Sequence, residues 1–370
     1  MLVVIPTYRR NECLQWVLQS LVQCDVTGIS EQIRVLVVNN YPPVANEVSA
    51  IVAPFRAYKR YDWHILYRER TLDPVDNWYS AIGEYAQADE VVFINSDDDI
   101  FLPWSLDVRY SAISAENGDV LLAQLGPTAL FLDDASRIAC TGLVPQPIAT
   151  EPVFLNASDI TRYSPQHVSN HCYRNTKCFR RALARGTAWC DAMEWLDGNS
   201  RRLFVPLYLP LAVIFEEGHV LGLGLPCTLR GQDLDEVARV PFGVASWNTG
   251  FIHLPAWHIL GNADLAAIPS LEKLRDEYAT TFIKWFLTYF FDRRVGWRKL
   301  MLSMRHTGFP WGRLFSLKTA YGLRLLAGEW LGLRGVRSRR ATANAQPSNI
   351  FVANLLQLTT PVNATPSSGK

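Results

Sequence analysis

The chain opens on a short continuous apolar run, "LVVIP" (Leu2 to Pro6), the pattern of a strand buried on both faces. From Asn11 to Gln23, Leu14, Val17, Leu18, Leu21 and Val22 recur at helical spacing, with Asn11 in the N-cap position. "IRVLVVNN" (Ile33 to Asn40), "WHILYRE" (Trp63 to Glu69) and "EVVFINS" (Glu90 to Ser96) predict three more strands. Between the last two, Asp73 to Ala88 predicts a helix with Pro74 near its first turn. Strands separated by helices predict an α/β fold: a doubly wound, mostly parallel sheet flanked by helices.

Ligands of such sheets bind beyond the carboxyl ends of the strands. The four predicted ends are Thr7-Tyr8-Arg9, Asn39-Asn40, Arg68-Glu69-Arg70 and Ser96-Asp97-Asp98-Asp99. If the strands are adjacent and parallel, these ends form one polar rim and outline a ligand site.

The pattern then changes. We read 1–125 as the first half of the main domain and 126–260 as a less regular second half with short strands and several prolines. Residues 261–340 read as amphipathic helices rich in aromatics and cations, and 341–370 as a largely disordered tail of Ala, Asn, Thr, Ser and Pro.

Composition narrows the class. With 370 residues, 49% hydrophobic, the chain can bury a substantial core. A net charge of +1 gives no global pointer to nucleic acid, and no nucleic-acid partner is expected. The 7 cysteines are dispersed with no CxxC pair, which predicts reduced thiols in the cytoplasm. The start "MLVVIPTY" lacks the basic region and cleavage site of a signal peptide. The longest apolar candidate, Leu203 to Phe215, is too short to span a bilayer and is broken by Pro206 and Pro210.

Three adjacent acids, Asp97, Asp98 and Asp99, repel one another, and a hard cation is the simplest reason to place them at a sheet rim. Mg²⁺ or Mn²⁺ takes one or two carboxylates plus substrate phosphates. The plainer alternative is a solvated acidic turn that caps a helix starting near Pro103.

Taken together, "VVIPTYRRNECLQWVLQSL", "VLVVNN" and "DNWYSAIGEYAQADEVVFINSDDDIFLP" resemble a family 2 glycosyltransferase of the GT-A fold, over Leu2 to about Asp107 and more weakly to about Asp235. The resemblance implies an inverting, DxD-type transferase that takes a nucleotide sugar. It makes Asp97 and Asp99 the metal-binding acids, with Asp97 and Asp98 also near the nucleotide sugar. Pro6, Thr7 and Arg9 would lie along the nucleotide, and Arg70 near the base or diphosphate. Asn77 matches the residue that opens the helix before the acid-bearing strand. The family usually has an acid where this chain has Asn39, at the position that reads the uracil ring. An amide offers both a donor and an acceptor. UDP is the expected nucleotide, and dTDP, GDP and CDP stay open.

Inverting transfer needs a base to take the proton of the acceptor hydroxyl. The resemblance places it in "CDAMEWLD", which offers Asp191, Glu194 and Asp197; Glu194, followed by Trp195, fits best and Asp191 next. Arg230, in "CTLRGQD", either approaches the diphosphate or pairs with Asp233 or Asp235. "GLGLPC" lacks the third glycine of a dinucleotide fingerprint. His167, His171, Cys172 and Cys178 do not have zinc spacing and read as core or loop residues.

Between Lys284 and Arg340 only Asp292 and Glu329 oppose a run of cations, with Trp285, Trp297, Trp311 and Trp330 interleaved. Such helices suit an anionic membrane surface; packing on the core with the arginines in water is the alternative. The membrane reading predicts a peripheral protein on the inner face of the cell membrane, with a glycan or lipid-linked acceptor in surface polysaccharide biosynthesis. Two rivals remain. A sugar nucleotidyltransferase would carry a glycine-rich loop where this chain has "PTYRRNE". A non-catalytic carbohydrate- or membrane-binding protein of the same fold would not need the three acids intact.

Overall fold

The computed structural model describes residues 1–72, 74–124, 129–133, 137–140, 153–154, 171–191, 209–223, 227–233, 253–261, 272–280, 282–283 and 297–314. The first four strands are β1 (Leu2–Thr7), β2 (Ile33–Asn39), β3 (Tyr61–Tyr67) and β4 (Val91–Ile94). They lie side by side in the order β3-β2-β1-β4, all parallel. Helices α1 (Asn11–Val22), α2 (Ala45–Val52) and α3 (Pro74–Tyr85) connect them. The α/β class with a mostly parallel sheet is thus the observed one.

The sheet continues through β6 (Val120–Gln124), β9 (Val153–Phe154), β10 (His171–Arg174) and β11 (His219–Leu223), in the order β4-β10-β6-β11-β9. Strand β10 runs antiparallel between β4 and β6, while β11 is parallel to β6. A second sheet has the order β5-β12-β7-β8, built from β5 (Asp99–Phe101), β7 (Ala129–Asp133), β8 (Arg137–Cys140) and β12 (Thr228–Asp233).

Period-two alternation sends the strand residues to two cores. Val3, Ile5, Val35, Val37 and Phe93 pack with Leu14, Val17, Leu18 and Leu21 of α1 and with Val48 and Val52 of α2. Leu2, Val4, Leu36, Val38, Val92 and Ile94 pack on the opposite face with Ala81 and Ile82 of α3. Each fully buried Leu, Val or Ile contributes roughly 1.5–3 kcal/mol, so a charge at Leu18 would break the first core. Helix α4 (Ser105–Ala115) adds a fully buried cation, Arg109, whose guanidinium lies 4.2 Å from the centre of the Phe93 ring.

The second core also takes Phe179 and Ala182 of α5 (Lys177–Asp191), and Leu211, Ala212 and Val213 of the helical segment 209–215. Trp257 of α6 (His253–Gly261), Tyr278 of helical residues 272–280, and Leu300 and Met304 of α7 (Trp297–Thr307) join it too. The described part of the basic C-terminal region therefore packs on this second core through Leu300 and Met304. Among the described residues no helix is long and apolar enough to cross a membrane.

Two local expectations need correction. Asn11 is the first helical residue rather than the N-cap, and its amide reaches out to Glu47; Arg10 holds the N-cap place without a side-chain cap bond, its guanidinium turned to Asp97 and Asp98. The third strand begins at Tyr61 and ends at Tyr67, so Arg68, Glu69 and Arg70 follow it rather than finishing it.

Candidate active site at the strand rim

Parallel pairing aligns the rim. Thr7 stands opposite Asn39 in register, and Asn39 opposite Tyr67. The Asn40 amide donates to the Thr7 carbonyl (3.0 Å) and the Asn95 amide to the Val4 carbonyl (3.0 Å), which carries the ladder past the strand ends. The polar ends of β1, β2, β3 and β4 therefore do share one edge of the sheet.

The acids occupy the link between the two sheets. Sequence pattern treats them as one strand end, but β4 stops at Ile94, and Asp99 is already the first residue of β5. Asp97 and Asp98 lie in the turn. That turn is tied from inside by Asn95, whose Nδ2 donates to the carbonyls of Ser96 (2.9 Å) and Asp99 (2.7 Å). The Ser96 hydroxyl donates to Asp98, and the Phe101 amide donates to the Ser20 hydroxyl of α1 (3.0 Å).

Asp97 is 4% exposed and Asp99 1%. The Tyr8 amide donates to Asp97 Oδ2 (3.2 Å). Arg10 Nη1 lies 3.5 Å from Asp97 Oδ1 and 2.5 Å from Asp98 Oδ2. Burial, then the neighbouring Asp98 charge, pushes the Asp97 carboxyl up to about 7, against the pull of Arg10, Thr7 and the Tyr8 amide. Burial, with Asp97 and Asp98, also pushes the Cys13 thiol up to about 11, so it stays protonated and is no nucleophile.

At the neighbouring strand ends, Asn39 is fully buried; its Oδ1 accepts from the Tyr41 amide (3.1 Å), and its Nδ2 has no hydrogen-bond partner among the described residues. Arg9 has a φ of 60°, the left-handed region that non-glycine residues adopt at a cost. The turn sends its guanidinium over Tyr41 (4.0 Å) and Tyr8 (5.1 Å), whose rings meet edge to face at 5.5 Å.

The other predicted residues fall as follows. Pro6 pairs with Val38 inside the sheet. Asn77 is buried on α3 and its Oδ1 accepts from Arg68 Nε (3.0 Å); Arg68 also reaches Ser80 and Glu84. Asn77 thus anchors Arg68. Arg70 is exposed in a loop held by Asn40, which exchanges two 2.8 Å bonds with the Leu72 backbone. The Cα of Arg230 is the cross-strand partner of Asp99 in the β5–β12 pair. Asp191 is the last residue of α5; Glu194 and Asp197 lie outside the described residues. His171 and Cys172 are buried on β10, and Cys178 is buried on α5. Sequence reasoning placed Asn40 and Arg68 on the polar rim without giving either a role, and it missed Arg10 and Asn95. Of the two missed, only Arg10, beside Arg9 at a strand end, carried a visible signal.

The donor set fits a hard divalent ion. Asp97 and Asp99 are buried carboxylates with one residue between them at the turn, oxygen donors of the kind such an ion takes. No group of three His, Cys, Asp or Glu residues forms a metal cage among the described residues. An ion here would draw its remaining ligands from substrate oxygens and water, the usual manner for Mg²⁺.

No family model matches the chain, and no curated protein matches it. Solved structures do. The crystal structure of S. aureus TarS 1-349 matches with TM-score 0.53 at 16% identity, over 82% of this chain and 77% of that one. The same fragment in complex with UDP-GlcNAc matches with TM-score 0.53 at 14% identity, over 83% and 80%. Against the longer TarS structure the TM-score is 0.52, and the match spans 49% of that chain. At these identities the likeness establishes the fold alone, a GT-A-like arrangement of parallel sheet and flanking helices.

Proposed function

We propose that this chain is a metal-dependent, inverting glycosyltransferase of the family 2 type. It moves a sugar from a nucleotide-sugar donor to a glycan or lipid-linked acceptor. The observation that carries the reading is the buried Asp97 carboxylate, held by the Tyr8 amide just past Thr7, in the turn that leads to buried Asp99, beside the sheet edge where Thr7 stands in register with Asn39. The likeness to a fold seen bound to UDP-GlcNAc supports it, and UDP is the first donor class to test.

In this reading Asp97 and Asp99 hold Mn²⁺ or Mg²⁺. The ion, when bound, neutralises the diphosphate as a leaving group. The Asn39 Nδ2 donates to an acceptor on the base, and Thr7 lies along the nucleotide. Arg230, whose Cα pairs with that of Asp99 across β5 and β12, is the candidate cation for the diphosphate. Glu194, or Asp191 at the end of α5, takes the acceptor proton. Stabilising the departing diphosphate charge is the main catalytic contribution.

The C-terminal region supports a reading of the acceptor and address. Leu302, Arg305, Trp311 and Arg313 are exposed on or just beyond α7. An apolar and cationic face of this kind supports docking on an anionic membrane, hence a lipid-linked acceptor and a role in surface polysaccharide assembly.

The test is a turnover assay with UDP-, dTDP-, GDP- and CDP-sugars, with and without Mn²⁺, beside Asp99→Ala. Metal-dependent release of one nucleotide, abolished by the substitution, is expected. Turnover untouched by Asp99→Ala would sink the metal role. Binding without turnover for every donor would favour a non-catalytic carbohydrate binder.

A further inference from the structure

We infer that Arg10 is a tethered cation that occupies the acid turn until the donor arrives, then exchanges the carboxylates for the donor's diphosphate. The inference rests on the transferase reading above and adds a coupling between metal and nucleotide that the reading does not contain.

One nitrogen makes the case. Arg10 Nη1 sits between two carboxylates, 3.5 Å from Asp97 Oδ1 and 2.5 Å from Asp98 Oδ2. A divalent ion on Asp97 would meet that positive charge at close range, so the ion and the guanidinium exclude one another. Arg10 is also able to leave. Its side chain is 48% exposed and reaches Asp97 and Asp98 from the solvent side, so it can turn into water without crossing the core.

Its tether points it toward the ligand. Arg10 follows the strained Arg9 at the end of β1 and stands at the N-cap of α1, a twelve-residue helix with no side-chain cap bond. The neighbouring arginines have different tasks: Arg9 is spread over the Tyr8 and Tyr41 rings, whereas Arg10 faces the acids. A guanidinium displaced from carboxylates retains its five donors, which suit phosphate oxygens. The uncapped amides of α1 favour an anion at the same place.

The consequence is cooperative binding. Metal alone must evict Arg10 into water, whereas metal with a nucleoside diphosphate gives Arg10 a new partner. Each ligand therefore strengthens the other, by the same factor.

The experiment is Mn²⁺ titration of the full chain, followed by the electron paramagnetic signal of free Mn²⁺. It is run alone and with UDP, dTDP, GDP and CDP in turn. Arg10→Gln should bind Mn²⁺ alone about 10-fold more tightly than wild type, with a smaller gain on adding nucleotide. Arg10→Met, which keeps the stem and drops the charge, should do the same, so a folding defect in one variant leaves the other to decide. Arg10→Lys should stay near wild type. If the neutral variants bind Mn²⁺ no more tightly than wild type while Asp97→Asn loses it, the exchange is wrong and the metal reading stands. If no variant and no wild-type protein binds Mn²⁺, both fall.

Discussion

Asn39 gives its carboxamide oxygen to the backbone amide of Tyr41 at 3.1 Å, and this fixes which way the side chain faces. An amide N–H can only donate, so the atom it meets must be Oδ1. The Nδ2 donor is left buried and without a partner among the described residues. An unmade buried bond costs roughly 1–3 kcal/mol. That cost is explained if a ligand acceptor completes the bond. Asn39→Ala should therefore change the melting temperature little, because removing the orphan offsets the loss of the Tyr41 bond. Nucleotide affinity should fall about 10-fold, the scale of one hydrogen bond into a buried site. Thermal unfolding and calorimetric nucleotide titration check the two halves. A large loss of stability with unchanged affinity would make Asn39 a purely structural residue.

Asp97 sets function against stability. Its carboxyl is pushed up to about 7 by burial and by Asp98. At pH 8 it is mostly ionised in the folded state at a cost on the order of 4 kcal/mol, about 1.4 kcal/mol for each pKa unit above the ordinary value of 3.8. Asp97→Asn removes the charge and keeps the shape. The metal-free variant should melt several degrees higher than wild type at pH 8, and Mn²⁺ should no longer raise its melting temperature. A variant that melts lower would show that Arg10 and the Tyr8 amide already compensate the charge.

Asn95 shapes the turn without being placed in contact with any ligand. Its two bonds to the Ser96 and Asp99 carbonyls hold the link between β4 and β5, and with it the spacing of the acids. Asn95→Ala should lower stability by about 1–3 kcal/mol and weaken Mn²⁺ binding although every acid remains. The check is Mn²⁺ titration at a temperature where the variant is fully folded by circular dichroism. Unchanged affinity there would mean that the β5–β12 pairing alone positions Asp99.

The first four strands were legible because burial on both faces leaves a continuous apolar run, as in "LVVIP" and "VLVVN", and because the intervening helices carry a clean 3.6 period. Thr7, Asn39 and the acids were legible as polar residues that end such runs. The break between Ile94 and Asp99 was not. A three-residue strand has no periodicity, and its membership of the second sheet comes from β12, more than a hundred residues later. Arg9 and Arg10 are equivalent as letters; only the positive φ at Arg9 turns one toward Tyr41 and leaves the other to Asp98. Asn95 and Arg68 act through bonds to backbone and to distant side chains, which no local pattern encodes.

His171 makes acid sensitivity a property of the sheet and not of the site. It lies buried on β10 between β4 and β6, and burial, with the Arg109 charge second, brings its imidazole from 6.5 down to about 4. The folded state thus holds it neutral while the unfolded chain takes a proton below about pH 6.5. The sign follows: the stability is fully present above the unfolded value and is lost as pH falls through the window down to about 4. The loss amounts to about 3 kcal/mol. Other groups titrate over the same range, so the informative quantity is a difference. His171→Leu stays neutral at every pH, and its stability relative to wild type should rise by about 3 kcal/mol between pH 7 and pH 4. Urea denaturation of both proteins at pH 7, 5.5 and 4 measures it. Parallel pH profiles would mean that the imidazole is protonated in the folded state, which the buried Arg109 beside it argues against.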